Sequence, residues 1–550
     1  MTSKASIRPF VNQAYLLGLL MVAVGLTISP FLMGMSQFWL ALVWLVDALT
    51  PPFKGAGGIK TKLSRFWHNK AAVLLVAFYL MHVVGLLWTS DFGYAAKDLR
   101  VKLPILVMPF VLSSMPPLDR KRFDFVMLVY VLSVFIATLF SSVTYWRHDY
   151  DDVREISHFI SHIRFCLNIV FCIAIVGYYI CRFFGQRRLS REGKGVPPFG
   201  IKFALNQFLM YFMLFWFSYQ IYIFESLSGY VILAAVVLVS AIYAFLRWQK
   251  AKGWRIGIAA LALAVAVAGF LVVWHEMKPL LKVEPVDFAT LDKKTSQGND
   301  YWHDTIHNPV EDGKYVGLYY CRKELQEAWQ KRSALPLNDS TSGMLESTLA
   351  RYLTSKGLRK DADGVMALTD EDVHNIEQGV ANYNNWLHPG LRARLSSTLF
   401  EYGLYRKYNN PNGGSLSQRI EFTRASLYLI GRHPWFGVGT GDVPQAFGQA
   451  YDAIHSPLRE EFRFRAHNQY LAIAVAFGLV GLAFFLFVLL YPWFASRKNH
   501  TYLFLMFLCV MLLSMFPEDT LETQAGATLF AFFMALLLFA MPQRCVDVSQ

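Results

Sequence analysis

Three arginines lie close together between residues 419 and 432, and their side chains are suited to binding phosphate. They are Arg419, Arg424 and Arg432. A guanidinium presents a rigid fork of N–H donors and stays charged at any relevant pH, so it can hold a diphosphate through paired hydrogen bonds. If residues 420–430 form a helix, Arg419 and Arg424 lie on different faces, and we expect Arg419 to face the site. The alternative is that these arginines solvate an interfacial helix or bind anionic lipid headgroups.

A glycine-rich turn follows the arginines and contains Gly437, Gly439 and Gly441. The backbone N–H groups of such a turn can bind phosphate oxygens, so we predict that it contributes to the same diphosphate site. A nucleotide site is excluded, because no strand-to-helix fingerprint surrounds the glycines. The other interpretation is a re-entrant connection between an interfacial helix and the next membrane span. The sequence leaves both interpretations open.

His467 comes just before an apolar run at 470–490, at the predicted outer boundary of the membrane. An imidazole titrates near neutral pH and can accept a proton from a sugar hydroxyl. We expect Asn468 to orient the ring, and Glu522, in a predicted external loop, to orient the acceptor. Arg164 begins another predicted helix on the same side and is a further candidate for the diphosphate. The alternative for Arg164 is that it snorkels to the interface.

Composition identifies the elements that must position these residues. The chain has 550 residues, of which 55% are hydrophobic and 16% aromatic, and it contains many apolar runs of about twenty residues, which indicates an all-α polytopic membrane protein. The net charge of +13 is concentrated in loops beside these runs, which indicates orientation in a membrane rather than nucleic-acid binding. About twelve spans are predicted, at 13–30, 33–49, 71–89, 102–115, 123–145, 163–184, 201–219, 221–246, 256–274, 468–494, 501–516 and 525–542.

The charges of the loops predict the topology. Most basic loops agree with an even number of spans and two cytoplasmic termini. One short loop disagrees, because Lys97, Arg100 and Lys102 fall on the outer side. We therefore divide the chain into a membrane region at 1–274, a mostly helical extracytoplasmic insertion at 275–466, and a second membrane region at 467–550.

The order of these motifs resembles the O-antigen ligase and polymerase superfamily, polytopic glycosyltransferases of bacterial inner membranes. Arg419 followed by residues 429–439 looks like the pattern Arg…His-Pro-(apolar)₂-Gly-Val-Gly, and His467-Asn468 followed nine residues later by Gly-Leu-Val-Gly is similar to the histidine signature of the ligases. Two features depart from the family. Thr423 stands where a tryptophan is frequent, and residues 226–229 lack the arginine of a Ser-Arg-Gly motif.

The resemblance implies a C-type glycosyltransferase-like fold and a periplasmic active site without a metal or a cofactor. Its donor would be a glycan on undecaprenyl diphosphate, bound by Arg419, and its acceptor a sugar hydroxyl of lipid A-core or of another glycan. His467 would be the base or a phosphate ligand, and we expect Arg164 to replace the missing second arginine. Direct displacement would invert the anomeric centre. Two alternatives stay open, namely a polymerase that uses the same donor and a transporter or flippase that binds lipid-linked glycan without chemistry.

Overall fold

Helices account for most of the chain, which confirms the predicted all-α polytopic membrane protein. The computed structural model describes residues 8–49, 58–147, 153–191, 201–247, 252–337, 343–496 and 499–542. Among these residues, seven helices are long and apolar enough to cross a membrane: Pro9–Ile28, Pro30–Leu49, Lys70–Trp88, Arg120–Arg147, His162–Phe183, Leu227–Leu246 and Gln469–Ala495. Other predicted spans coincide with less apolar or shorter helices, so the total of about twelve stays a prediction.

The chain forms two compact units. The first comprises residues 1–262, 422–455 and 463–550, and the second comprises 263–421 and 456–462. This division differs from the boundaries expected from sequence, because residues 422–455 group with the membrane helices. The physical reason is the apolar face that begins at Phe422, where Phe422, Ala425 and Leu429 are all buried.

Most helices of the first unit are apolar along their whole length, as expected for segments in lipid. Small residues allow close packing of the first two helices, where a Cβ on Gly25 would lie 2.7 Å from the Met33 nitrogen. The helices that begin in this unit are α1 (Arg8–Ile28), α2 (Pro30–Leu49), α3 (Ile59–His68), α4 (Lys70–Val84), α5 (Phe92–Ser114), α6 (Arg120–Arg147), α7 (His162–Arg191), α8 (Ile201–Ile223), α9 (Leu227–Arg247) and α10 (Lys252–Leu281).

The second unit carries six helices and one short hairpin in its described part. Its core is built on the buried faces of α11, α12 and α14, with Trp329, Tyr352 and Ile376 at its centre. The hairpin pairs β1 (Val310–Glu311) with β2 (Lys314–Tyr315) in antiparallel register. The helices are α11 (Arg322–Gln330), α12 (Gly343–Lys356), α13 (Ala362–Met366), α14 (Asp370–Glu377), α15 (Tyr383–Leu387) and α16 (Leu391–Tyr408).

The remaining helices carry most of the residues singled out by their chemistry. They are α17 (Ser415–Arg432), α18 (Val443–Ala453), α19 (Gln469–Ala495), α20 (Tyr502–Ser514) and α21 (Gln524–Ala535), and α21 continues as a π-helical segment (Leu536–Ala540). Helix α19 is broken at Gly478, which has φ 68° and ψ −171°. The loop between α20 and α21 contains a short 3₁₀ turn (Thr520–Glu522).

Candidate functional site

The arginine segment forms helix α17, as the sequence predicts. Arg419 is half-buried and lies in the part of α17 that belongs to the second unit. Arg424 and Arg432 are exposed and belong to the first unit. The Arg432 guanidinium lies over the ring of Tyr428, 5.6 Å from its centroid, and its Nη2 donates to the Tyr428 hydroxyl at 3.3 Å. Arg432 is therefore held against its own helix.

The glycine-rich turn after α17 packs into the break of helix α19. The N–H of Val438 donates to the Val475 carbonyl and that of Gly439 to the Ala476 carbonyl, both at 2.9 Å, and the N–H of Leu479 donates to the Pro434 carbonyl at 2.7 Å. A backbone opened within a membrane protein must find new hydrogen-bond partners. The turn at residues 434–439 and the break in α19 at residues 475–479 thus provide hydrogen-bond partners for each other's backbone groups.

The end of the same turn binds the segment that follows helix α4. The Gly441 N–H donates to Thr89 Oγ1 at 3.1 Å, and Thr440 Oγ1 donates to the His82 carbonyl at 2.6 Å. The Asp442 carboxylate accepts hydrogen bonds from the N–H groups of Ser90 and Asp91.

The three glycines predicted to bind diphosphate therefore serve packing in this conformation. The N–H of Gly437 donates to the His433 carbonyl, so all three N–H groups already donate to protein oxygens. A Cβ on Gly437 would lie 2.4 Å from the Ala476 carbonyl carbon, so the close approach itself requires glycine. This arrangement favours the re-entrant connection over a phosphate-binding turn.

His467 lies directly before α19, with its ring packed on aromatic side chains. It stacks on Phe422, with ring centroids 5.2 Å apart, and meets the edge of Phe464 at 6.0 Å. Its backbone has φ 44°, in the left-handed region that costs a residue with a side chain about 1 kcal/mol. The side chain is 33% exposed, so the imidazole is fixed in direction but open to a substrate.

Two buried carboxylates face the imidazole from the loop between α20 and α21. Glu518 Oε2 lies 3.8 Å from His467 Nδ1, and ligand atoms of Asp519 and Glu518 lie within 4.8 Å of that ring. Burial raises the pKa of Asp519, although the charge of Arg465 and that of His467, when protonated, oppose this shift. The environment of His467 is therefore acidic.

Arg164 lies next to Glu518 and Asp519, in agreement with its predicted place on the same side as His467. Its Nη2 lies 4.0 Å from Glu518 Oε2 and 3.9 Å from Asp519 Oδ1, and its Nη1 donates to Ser161 Oγ at 2.8 Å. Its buried Nε has no hydrogen-bond partner among the described residues. Arg164 therefore neutralises carboxylates next to His467, and its role toward a diphosphate stays a prediction.

Glu522 is held in a buried network of charged and amide side chains, and its role toward an acceptor stays a prediction. Its Oε2 lies 2.7 Å from Lys102 Nζ and 3.3 Å from Arg465 Nη1, and its Oε1 accepts from Gln469 Nε2 at 3.1 Å. Burial would raise the pKa of this carboxyl, but the charges of Lys102 and Arg465 outweigh burial and lower it. Lys102 is also paired with Asp98, so one of the three basic residues that disagreed with the topology is buried and neutralised.

Asn468 does not bond to the His467 ring within the described residues. Its Oδ1 caps α19 by accepting from the Leu471 N–H at 3.0 Å, and its Nδ2 donates to the Phe516 carbonyl at 2.9 Å. The first residue of α19, Gln469, binds the same loop, because its Oε1 accepts from the Leu521 N–H at 2.6 Å. Asn468 therefore fixes the start of α19 against the loop, and its role in orienting His467 stays a prediction.

One group of side chains beside α19 has the spacing of metal ligands. In the described ranges, His467, Glu518 and Asp519 are the one group of three whose ligand atoms lie close enough to hold an ion. Arg164 and Arg465 lie within 4.0 Å of these carboxylates and already supply positive charge. Because they would repel a divalent cation, the donor set does not fit a metal well.

Sequence reasoning missed Arg465, and from the loop that carries Glu518 and Asp519 it singled out only Glu522. The Arg465 guanidinium lies 3.5 Å from the Asp519 carboxylate and 3.3 Å from that of Glu522. It also donates to the Tyr94 hydroxyl at 2.8 Å. A usable signal was present, because Arg465 stands two residues before His467 and Glu518 lies in an acidic loop on the same predicted side.

Comparison with known proteins agrees with this arrangement of motifs. Residues 390–486 match the family model described as O-Antigen ligase, a range that includes α17, the glycine turn, His467 and the break at Gly478. No curated protein matches the chain significantly. The match supports an enzyme of the O-antigen ligase or polymerase type in general. The match over residues 390–486 thus confirms the predicted resemblance of this membrane protein to the O-antigen ligase superfamily.

Proposed function

We propose that this protein transfers a glycan from undecaprenyl diphosphate to a sugar hydroxyl of lipid A-core, at the periplasmic face of a bacterial inner membrane. The family match supports the reaction type, and the apolar helices support the membrane setting. The observation that carries the proposed mechanism is the position of His467 beside Glu518, 3.8 Å away. This geometry supports one of the two roles that the resemblance gives to the histidine, that of the base.

His467 is the general base in this proposal, and not a phosphate ligand. The carboxylate of Glu518 lies 3.8 Å from Nδ1, where it stabilises the positive charge that an imidazole gains when it accepts a proton. A carboxylate on the Nδ1 side also favours a proton on that nitrogen, which leaves Nε2 to act as the base. Glu518 and Asp519 are therefore positioning residues that act through His467.

The reaction follows from these roles. Nε2 of His467 takes the proton of the acceptor hydroxyl while the hydroxyl oxygen bonds to the anomeric carbon. The bond from that carbon to the diphosphate breaks in the same displacement, so the anomeric centre inverts and undecaprenyl diphosphate leaves with the bonding electron pair. Neutralising the leaving group stabilises the transition state. By resemblance, Arg419 supplies that charge, with Arg424 and Arg432 as further basic residues on α17.

The first experiment compares the surface glycans of a deletion strain with those of complemented strains. Loss of the whole lipopolysaccharide ladder, with long glycans accumulating on undecaprenyl diphosphate, is the expected result for a ligase. If one repeat unit still reaches lipid A-core, the protein is instead the polymerase. An unchanged profile contradicts both assignments.

Complementation with variants tests the base. His467→Gln should fail to restore the ladder, because loss of a general base costs about 10²- to 10⁴-fold in rate. His455→Gln is the matched control, because His455 is exposed and has a similar backbone angle, φ 50°. Purified protein given lipid-linked glycan and acceptor should release undecaprenyl diphosphate. Movement of the glycan across vesicles without such release would instead identify a flippase.

A further inference from the structure

The second unit contains an open cavity of about 680 Å³ whose lining combines an exposed indole with charged and amide side chains. Its volume lies within the range of roughly 300–1,000 Å³ typical of small-ligand sites. The cavity is lined by Asn299, Asp300, Trp302, Tyr320, Arg322 and Glu346, among others.

Trp302 is held rigidly at this cavity although its side chain is exposed. Its backbone pairs with Tyr320 through two hydrogen bonds, from the Trp302 N–H at 2.8 Å and from the Tyr320 N–H at 3.0 Å. The two rings stand perpendicular, with centroids 6.3 Å apart. The backbone of Trp302 is thus anchored, and because 60% of the residue remains exposed, an apolar face is presented to solvent. Such preorganisation reduces the entropy lost on binding.

The polar side chains of the lining are held by hydrogen bonds and ion pairs. Glu346 accepts from the Tyr320 hydroxyl at 2.5 Å and from Arg322 Nη2 at 3.0 Å. Asp300 is exposed and paired with Lys294 at 2.7 Å, while Asn299 donates to Glu324 at 2.7 Å. Donors and acceptors of both charges thus surround one aromatic face.

We infer that this cavity, which we call the Trp302 groove, binds an oligosaccharide. A pyranose ring offers a C–H face that packs on an indole and a rim of hydroxyls that both donate and accept hydrogen bonds. The groove matches this chemistry, because the Trp302 indole is apolar and its neighbours are fixed donors and acceptors. A lipid-inserting surface would need apolar neighbours, whereas Asp300 and Arg322 are charged and exposed.

Binding at the Trp302 groove is independent of the transfer reaction, because it needs neither the donor diphosphate nor His467. It gives the insertion a role in holding a glycan chain, and the binding can be measured without any catalysis.

The test uses the full chain in lipid nanodiscs. The probe is a set of size-fractionated oligosaccharides, released by mild acid from the surface polysaccharide of the bacterium that makes the protein. Saturation-transfer NMR should show contact with sugar ring protons, and a titration gives the Kd. Trp302→Ala should weaken binding by about tenfold or more, the usual effect of removing an aromatic anchor. Trp302→Phe should retain most of the binding.

Two controls isolate the groove. Trp386→Ala removes a partly exposed tryptophan of the same unit that does not line the cavity, and it should leave the Kd unchanged. His467→Gln should lose transfer activity yet bind oligosaccharide normally. Equal binding by Trp302→Ala and the wild type, or no signal above that of empty nanodiscs, would overturn the inference. The inference would also be overturned if Trp302→Ala changed only the contact of the protein with lipid, measured as quenching of tryptophan fluorescence by brominated lipids.

Discussion

Replacing Gly478 with alanine tests the structural link between the two halves of the sequence motif. Gly478 breaks helix α19 with φ 68°, a left-handed conformation that costs alanine about 1–2 kcal/mol. The added Cβ would also lie 2.2 Å from the Trp435 carbonyl carbon and 2.3 Å from its oxygen. These are backbone atoms, so the contact can be relieved only if the turn moves away from the helix.

Movement of the turn weakens the hydrogen bonds that close the break. Three of them join residues 434–439 to residues 475–479, at 2.7–2.9 Å. Each contributes about 0.5–1.5 kcal/mol net. Together with the cost of the backbone conformation, we expect Gly478→Ala to destabilise the protein by about 3–6 kcal/mol.

The assay is thermal unfolding in nanodiscs, followed by intrinsic tryptophan fluorescence and paired with release of undecaprenyl diphosphate. Gly431→Ala is the matched control, because Gly431 lies in helix α17 with open space around its Cβ position. That change should be neutral or slightly stabilising, since alanine favours a helix. An unfolding midpoint in Gly478→Ala equal to that of the wild type would refute the reasoning.

Three further predictions concern charge. Glu522→Gln should cost about 1.5–3 kcal/mol at neutral pH, because Lys102 and Arg465 each lose one charged partner and keep only Asp98 and Asp519, respectively. Since the pKa of Glu522 is lowered in the folded state, its contribution is present above the ordinary pKa of about 4.3 and is lost as pH falls below it. Unfolding curves of wild type and variant should thus converge in acid, and a constant difference would argue against this ion pair. Glu518→Gln should slow transfer about fivefold or more, since a carboxylate 3.8 Å from the imidazole contributes about 1 kcal/mol even at the dielectric constant of water. An unchanged rate would exclude the proposed positioning. Arg419→Lys should lose roughly ten- to a hundredfold in rate, because a point charge cannot reproduce a two-pronged contact; near-normal release would argue against paired phosphate bonds.

Much of the site's composition can be predicted from local sequence. The apolar runs identify the membrane helices, because burial in lipid demands long apolar segments. The Arg-His-Pro and His-Asn motifs identify α17, the glycine turn and His467. Their residue types and spacing are local features, so they can be recognised without knowing any tertiary contact.

Tertiary structure decided which groups His467 and the glycines meet. Glu518 is 51 positions after His467 in the chain, and no local pattern shows that its carboxylate faces Nδ1. The amides of the glycine turn looked available in sequence, but helix α19 opens at Gly478 and accepts two of their hydrogen bonds. Hydropathy and residue spacing are properties of short segments, so the membrane class, the helices and the motif residues follow from the sequence. The carboxylates beside the imidazole and the turn that closes the broken helix depend on contacts between segments far apart in the chain, so they become visible only in the folded protein.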